Sequence, residues 1–66
     1  MKVHYFITVK GIKNGKELYA NIEQFGANLT DMGGECLVYG DCYLAQLSQI
    51  VYNCALYGNI SAEVTH

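Results

Sequence analysis

The first ordered pattern along the chain is a strict alternation. Val3, Tyr5, Ile7 and Val9 fall on one side and His4, Phe6, Thr8 and Lys10 on the other, the period-2 signature of a half-buried strand. It gives way at Lys13-Asn14-Gly15-Lys16, and Asn-Gly is a strong hairpin signal because both residues tolerate the positive φ of a type I′ turn. A two-residue turn there sets Lys13 opposite Lys16, Val9 opposite Ala20 and Ile7 opposite Ile22. Leu18, Ala20 and Ile22 then join the apolar face, while Glu17, Tyr19, Asn21 and Glu23 point away. The same residues carry a rival pattern: Leu18, Ile22 and Phe25 fit the i, i+4, i+7 spacing of a helix over 16–25, with Gly26 as its terminator. The hairpin is the favoured reading, because its register sets apolar against apolar without adjustment.

Gly26 to Gly34 reads as a loop, rich in Gly, Asn, Thr and Asp. Glu35 to Tyr39 reads as a short strand, Cys36 and Val38 on one face and Leu37 and Tyr39 on the other. From Asp41 to Gly58 the period changes. Tyr43, Leu47, Ile50, Cys54 and Tyr57 recur at spacings of four and three, the stripe of an amphipathic helix. Asp41 is placed to cap its first turn and Gly58 to close its last. Asn59 to Thr65 alternates again, with Ile60, Ala62 and Val64 facing inward. The elements sum to a small α+β domain over residues 1–66, in the order β-β-β-α-β. The expected architecture is a two-layer sandwich: a four-stranded mixed sheet, its last two strands a parallel pair joined by a right-handed crossover, with one helix on one face.

Composition sharpens this picture at one place. No Lys, Arg, Asp or Glu occurs from Cys42 to Ala62, so the polar side of the helix lacks the Glu and Lys of an ordinary solvated face. Two readings stay open: a helix buried more deeply than average, or a face made of Gln46, Gln49, Tyr52, Asn53 and Leu56 that meets another protein. Tyr-bearing, charge-poor surfaces are typical of interface cores. The outer face of the sheet is expected to show Phe6, Tyr19 and Tyr39, a second surface that invites a partner or a second copy.

The net charge of −2 hides a segregation, since Lys2, Lys10, Lys13 and Lys16 are the only basic residues besides histidine and every acid lies at Glu17 or beyond. Direct nucleic-acid binding, which rests on basic side chains against phosphates, is not expected. The acids Glu17, Glu23, Glu35 and Glu63 are candidate contacts if the protein competes for a phosphate-binding groove. Amides and Ser48 interrupt the apolar run of the helix, so no membrane span is expected. No leader-like segment precedes the first strand, and a cytoplasmic location is expected.

Candidate chemistry is thin. Cys36, Cys42 and Cys54 are an odd number, and none is spaced as in the C-x2-C half-sites of structural zinc. With His4 or His66 they form the one conceivable metal set, and no metal or cofactor is expected. Cys42 would sit in the first turn of the helix, where free N–H groups lower a thiol pKa, although Asp41 beside it opposes this. Asp41 is better read as a cap than as half of an acid–base pair.

The expected function is therefore a non-enzymatic protein–protein interaction module. A narrower form is a phage-type inhibitor of a nucleic-acid-handling host defence complex. The alternatives are a small enzyme or ligand-binding subunit whose site forms at a homo-oligomer interface, or a purely structural homo-oligomer such as a homodimer.

Overall fold

The computed structural model describes residues 1–12 and 14–66. Its elements run β1 (Lys2–Lys10), α1 (Gly15–Ile22) followed by a short 3-10 turn (Glu23–Phe25), β2 (Asn28–Asp31), β3 (Glu35–Tyr43), α2 (Leu44–Ala55) and β4 (Asn59–Thr65). The strands form one sheet in the order β2-β3-β1-β4, and every neighbouring pair is antiparallel. This β-α-β-β-α-β order is the split βαβ, or ferredoxin-like, arrangement. Both helices bury residues against the sheet face that carries Val3, Tyr5, Ile7 and Val9.

The fold class expected from sequence, a small α+β sandwich around a four-stranded sheet, holds at that level, but its layout is corrected in four places. The first is the hairpin. Residues 15–22 are helical, and Asn14 is the N-cap, its side chain accepting a 3.0 Å hydrogen bond from the Lys16 amide. Asn is as good a cap as it is a turn residue, so the local signal was ambiguous and packing decided it. Leu18 and Ile22, one turn apart, are both fully buried, whereas Ala20, which the hairpin register turned inward, is exposed. Gly15 is needed for closeness rather than for a turn: a Cβ there would lie 2.8 Å from Asp31 Oδ2 and 3.0 Å from Cys36 Sγ. Gly26, at φ 75°, closes the 3-10 turn, as the helical reading of these residues required. Lys13, which the turn register set opposite Lys16, lies outside the described residues.

The second correction is β2, which lies inside the expected loop. It pairs with β3 from Asn28↔Tyr39 to Asp31↔Cys36. The third is the boundary of α2. β3 does not stop at Tyr39 but continues to Tyr43, because residues 40–43 are paired with Lys2–Tyr5 of β1. Asp41 is thus a strand residue and not a cap. The cap position falls to Tyr43, whose side chain makes no capping bond, and the Leu44 amide donates instead to the Met1 carbonyl, 2.9 Å away. Gly58 does not close the helix either, since α2 ends at Ala55 with Leu56 as its right-handed C-cap. Gly58 packs against the end of β1, where a Cβ would sit 2.3 Å from the Lys10 carbonyl oxygen. The fourth is the last strand. β3 and β4 run in the same direction, as a strand–helix–strand crossover requires, but β1 lies between them. The sheet is therefore purely antiparallel rather than mixed.

The core is a single cluster. β1 contributes Val3, Tyr5, Ile7 and Val9, β3 contributes Cys36, Val38 and Cys42, and the helices contribute Leu18, Ile22, Ile50 and Cys54. Leu47 and Tyr57 of the expected helical stripe are half-buried, but Tyr43 is exposed. α1 is tied to the chain after α2 by a hydrogen bond from Asn21 Nδ2 to the Tyr57 hydroxyl.

Candidate functional site

β1 occupies the centre of the sheet, so its polar row and the facing row of β3 form the middle of the uncovered face. Cross-strand register sets Lys2 beside Tyr43, His4 beside Asp41, Phe6 beside Tyr39 and Lys10 beside Glu35. Each of the first three pairs interacts. Lys2 Nζ lies 5.3 Å from the centroid of the Tyr43 ring. His4 Nδ1 is hydrogen-bonded to Asp41 Oδ1, with both side chains more than half exposed. The Phe6 and Tyr39 rings stack at 6.1 Å between centroids and 20° between planes. Between the last two pairs lies a shallow depression of about 160 Å³, with the backbone of Tyr5 and Gly40 beside it. β4 adds Glu63 next to Phe6 on the same face.

Phe6 and Tyr39 therefore share the open face as their alternation implied. Tyr19 does not join them, because residues 15–22 are helical; it is exposed on α1. The His4–Asp41 pair is absent from the expectations drawn from sequence, which place His4 on the polar side of the first strand and make Asp41 a cap. The signal is present in parity alone: if β3 runs on past Tyr39, Asp41 falls on the same face, as His4 does with Phe6.

The second surface is α2. Tyr52 and Leu56 are each 63% exposed, Gln46 and Gln49 are exposed, and Asn53 is half-buried. Only Ile50 and Cys54 of this helix are fully buried, so the reading of a deeply buried helix does not hold. Asn53 spends its amide inside the helix, Nδ2 donating to the Gln49 carbonyl at 2.8 Å. The proposed acidic contacts do not form one patch. Glu17 is exposed on α1 and Glu23 in the turn after it, whereas Glu35 and Glu63 lie in β3 and β4.

The cysteines are all buried and free. Cys36 lies opposite Val9 and Cys42 opposite Val3, at the two ends of β1, while Cys54 is in α2. Among the described residues no group of His, Cys, Asp and Glu is arranged to hold a metal ion. Cys42 is not at a helix N-terminus, which corrects the reason for treating it as reactive. Burial, and then the Asp41 charge, push its thiol pKa up, away from the nucleophilic form. His4 faces the opposite side of the sheet from Cys42 and is no base for it. Burial also raises Cys36, and raises Cys54 to about 11. Tyr5 is fully buried with no hydrogen-bond partner for its hydroxyl among the described residues; burial first, then Cys42, Cys54 and Asp41, lift its pKa to about 12.

Comparisons with protein-family models, with curated proteins and with solved structures found no match. Among the described residues no helix is long and apolar enough to cross a membrane.

Proposed function

We propose that this chain is a non-enzymatic interaction module that docks onto another protein or protein complex. The observation that supports this best is the outer side of α2, where Tyr52 and Leu56 are each 63% exposed and no charged residue intervenes. Free surfaces of small proteins are usually kept soluble by charge, and interface cores are depleted of charge and enriched in Tyr. The test is affinity capture with the wild-type chain and with Tyr52→Glu/Leu56→Glu, both substitutions at exposed positions. A partner held by the wild type and released by the double variant supports the reading; a partner held equally by both removes it.

Nucleic acid is the less favoured partner. Aromatic side chains on the central strands of a four-stranded sheet suit base stacking, but Lys2 and Lys10 share that face with Glu35, Asp41 and Glu63. That balance supplies none of the positive field that phosphates require. The narrower inhibitor form, a phage-type block of a host defence complex, leans on the carboxylates; unchanged partner binding after neutralising Glu17, Glu23, Glu35 and Glu63 together would remove it. The three unpaired thiols suit a reducing compartment such as the cytoplasm.

A ligand-binding or catalytic subunit is the second reading, and the depression beside His4–Asp41 and Phe6–Tyr39 is what favours it. At about 160 Å³ it is smaller than the roughly 300–1,000 Å³ of ordinary ligand sites. It would need a wall from another subunit. A ligand whose affinity survives His4→Ala and Phe6→Ala would exclude this face.

A further inference from the structure

The two edges of the sheet are protected very differently. β2 is four residues long, and its last residue, Asp31, points inward, its carboxylate close to Gly15 at the start of α1. A short strand with an inward charge is a common way of blunting an edge against further pairing. β4 is seven residues long, contains neither Lys nor Pro, and carries Glu63 as its only charge. Among the described residues only one of its flanks is paired, to β1. Its apolar row Ile60, Ala62 and Val64 faces the helix layer, yet Ala62 is exposed and Val64 is 41% exposed although α2 packs on the strand. β4 is thus a long, nearly uncharged edge whose apolar row is left half-covered.

We propose that the occupant of this edge is a second copy of the chain, paired antiparallel, β4 against β4, about a two-fold axis perpendicular to the sheet. The residues of β4 select the register. Keeping both helix layers on one side requires inward residues to face inward residues. With Ala62 opposite Ala62 of the second copy, Ile60 meets Val64, Ser61 meets Glu63 and Asn59 meets Thr65, so all seven residues pair. Moving the axis to Glu63 sets two carboxylates against each other, which is destabilising, and shortens the overlap. Moving it to Ser61 replaces the two Ile–Val contacts with Ile–Ala. The joined sheet would have eight strands and no exposed β4 edge. Because strand pairing is the main contact, the interface falls at the small end of the size range, and a micromolar rather than nanomolar dimer is expected. The inference uses β4 and not the outer side of α2, so it and the docking function proposed above can fail separately.

Sedimentation equilibrium of the reduced full chain, from low micromolar to several hundred micromolar, tests it. The expected mass rises from 7.3 kDa towards twice that value. Val64→Lys and Ala62→Lys, both at exposed positions, should raise the dissociation constant at least tenfold while the melting temperature of dilute protein stays unchanged. Thr30→Lys on β2 should leave association unchanged. Register is read by mild oxidation: Ala62→Cys should give a covalent dimer, since directly opposed strand residues lie within disulfide reach. Ser61→Cys and Glu63→Cys, each diagonal to its own copy, should not. A chain that stays monomeric throughout overturns the proposal, as does a dimer insensitive to Val64→Lys. Cross-linking through Ser61→Cys rather than Ala62→Cys overturns the register.

Discussion

Gly58 offers the sharpest test of how this fold is assembled. A methyl group added there would sit 2.3 Å from the Lys10 carbonyl oxygen and 3.1 Å from Val9 Cγ1, where real Cβ atoms essentially never come closer than 3.0 Å. Relief needs a movement of at least about 0.7 Å, and the obstructing atom is main chain. Lys10 is paired on both sides, to Glu35 and to Asn59, so the strain has no flexible side chain to enter. Overpacking of this kind costs about 1–3 kcal/mol, a large share of the roughly 3–10 kcal/mol that a domain of this size holds. At about 2 kcal/mol, Gly58→Ala should lower the melting temperature by about 8–16 °C. Gly58→Asn separates close approach from a left-handed cap. Asparagine tolerates positive φ, so a cap role would spare it relative to alanine, whereas close approach penalises it at least as much. Thermal melts followed by circular dichroism, with urea titrations, measure both variants. The reasoning is refuted if the alanine variant melts within about 2 °C of wild type, or if the asparagine variant is the more stable of the two.

Other outcomes follow from the core and the open face. Leu18→Ala, deep between α1 and the sheet, should cost about 2–5 kcal/mol and leave much of the chain unfolded at 37 °C by circular dichroism. Tyr5→Phe removes a buried hydroxyl that has no partner among the described residues, so the urea midpoint should stay level or rise; a loss above about 1 kcal/mol would reveal a bond the hydroxyl makes. In the folded state Cys54 and Tyr5 hold their protons more tightly than in the unfolded chain, their pKa values moving from 9.0 to about 11 and from 10.0 to about 12. Their contribution is complete below pH 9 and is lost as pH rises through 9–11 and then 10–12. Urea midpoints should therefore fall between pH 8 and pH 11, and a rise would contradict the assignment. His4→Ala should change stability by less than about 1 kcal/mol, because its pairing with Asp41 is exposed.

What the sequence disclosed followed the strength of each local pattern. β1 and β4 were legible because alternation sustained over seven or more residues fits a strand and little else, and the body of α2 because its stripe keeps one period. α1 was misjudged because Asn14-Gly15 serves a turn and a helix start equally well and both readings bury Leu18 and Ile22; only the exposure of Ala20 between them separates the two. β2 left almost no trace: of Asn28, Leu29, Thr30 and Asp31, Leu29 alone packs against the core, and an edge strand with one apolar residue has no period to read. The end of β3 was lost to a plausible cap, Asp41, that pairing with β1 overrides. The His4–Asp41 neighbourhood depended on both that end and the strand order, and neither is written in any one segment.

The central place of β1 also has a consequence in time. Val9 pairs with Cys36 and with Ile60, so the first strand made receives its second neighbour only after some fifty further residues have been joined. At about 5–20 residues per second, that leaves roughly 3–10 s in which the row Val3, Tyr5, Ile7 and Val9 is synthesised but not enclosed. The sheet cannot be completed from one end like a zipper, and a ribosome paused before Asn59 holds a chain whose middle strand still lacks a side. The interval in which this protein is most exposed to chaperones, proteases and its own nascent neighbours is thus set by where its first strand ends up.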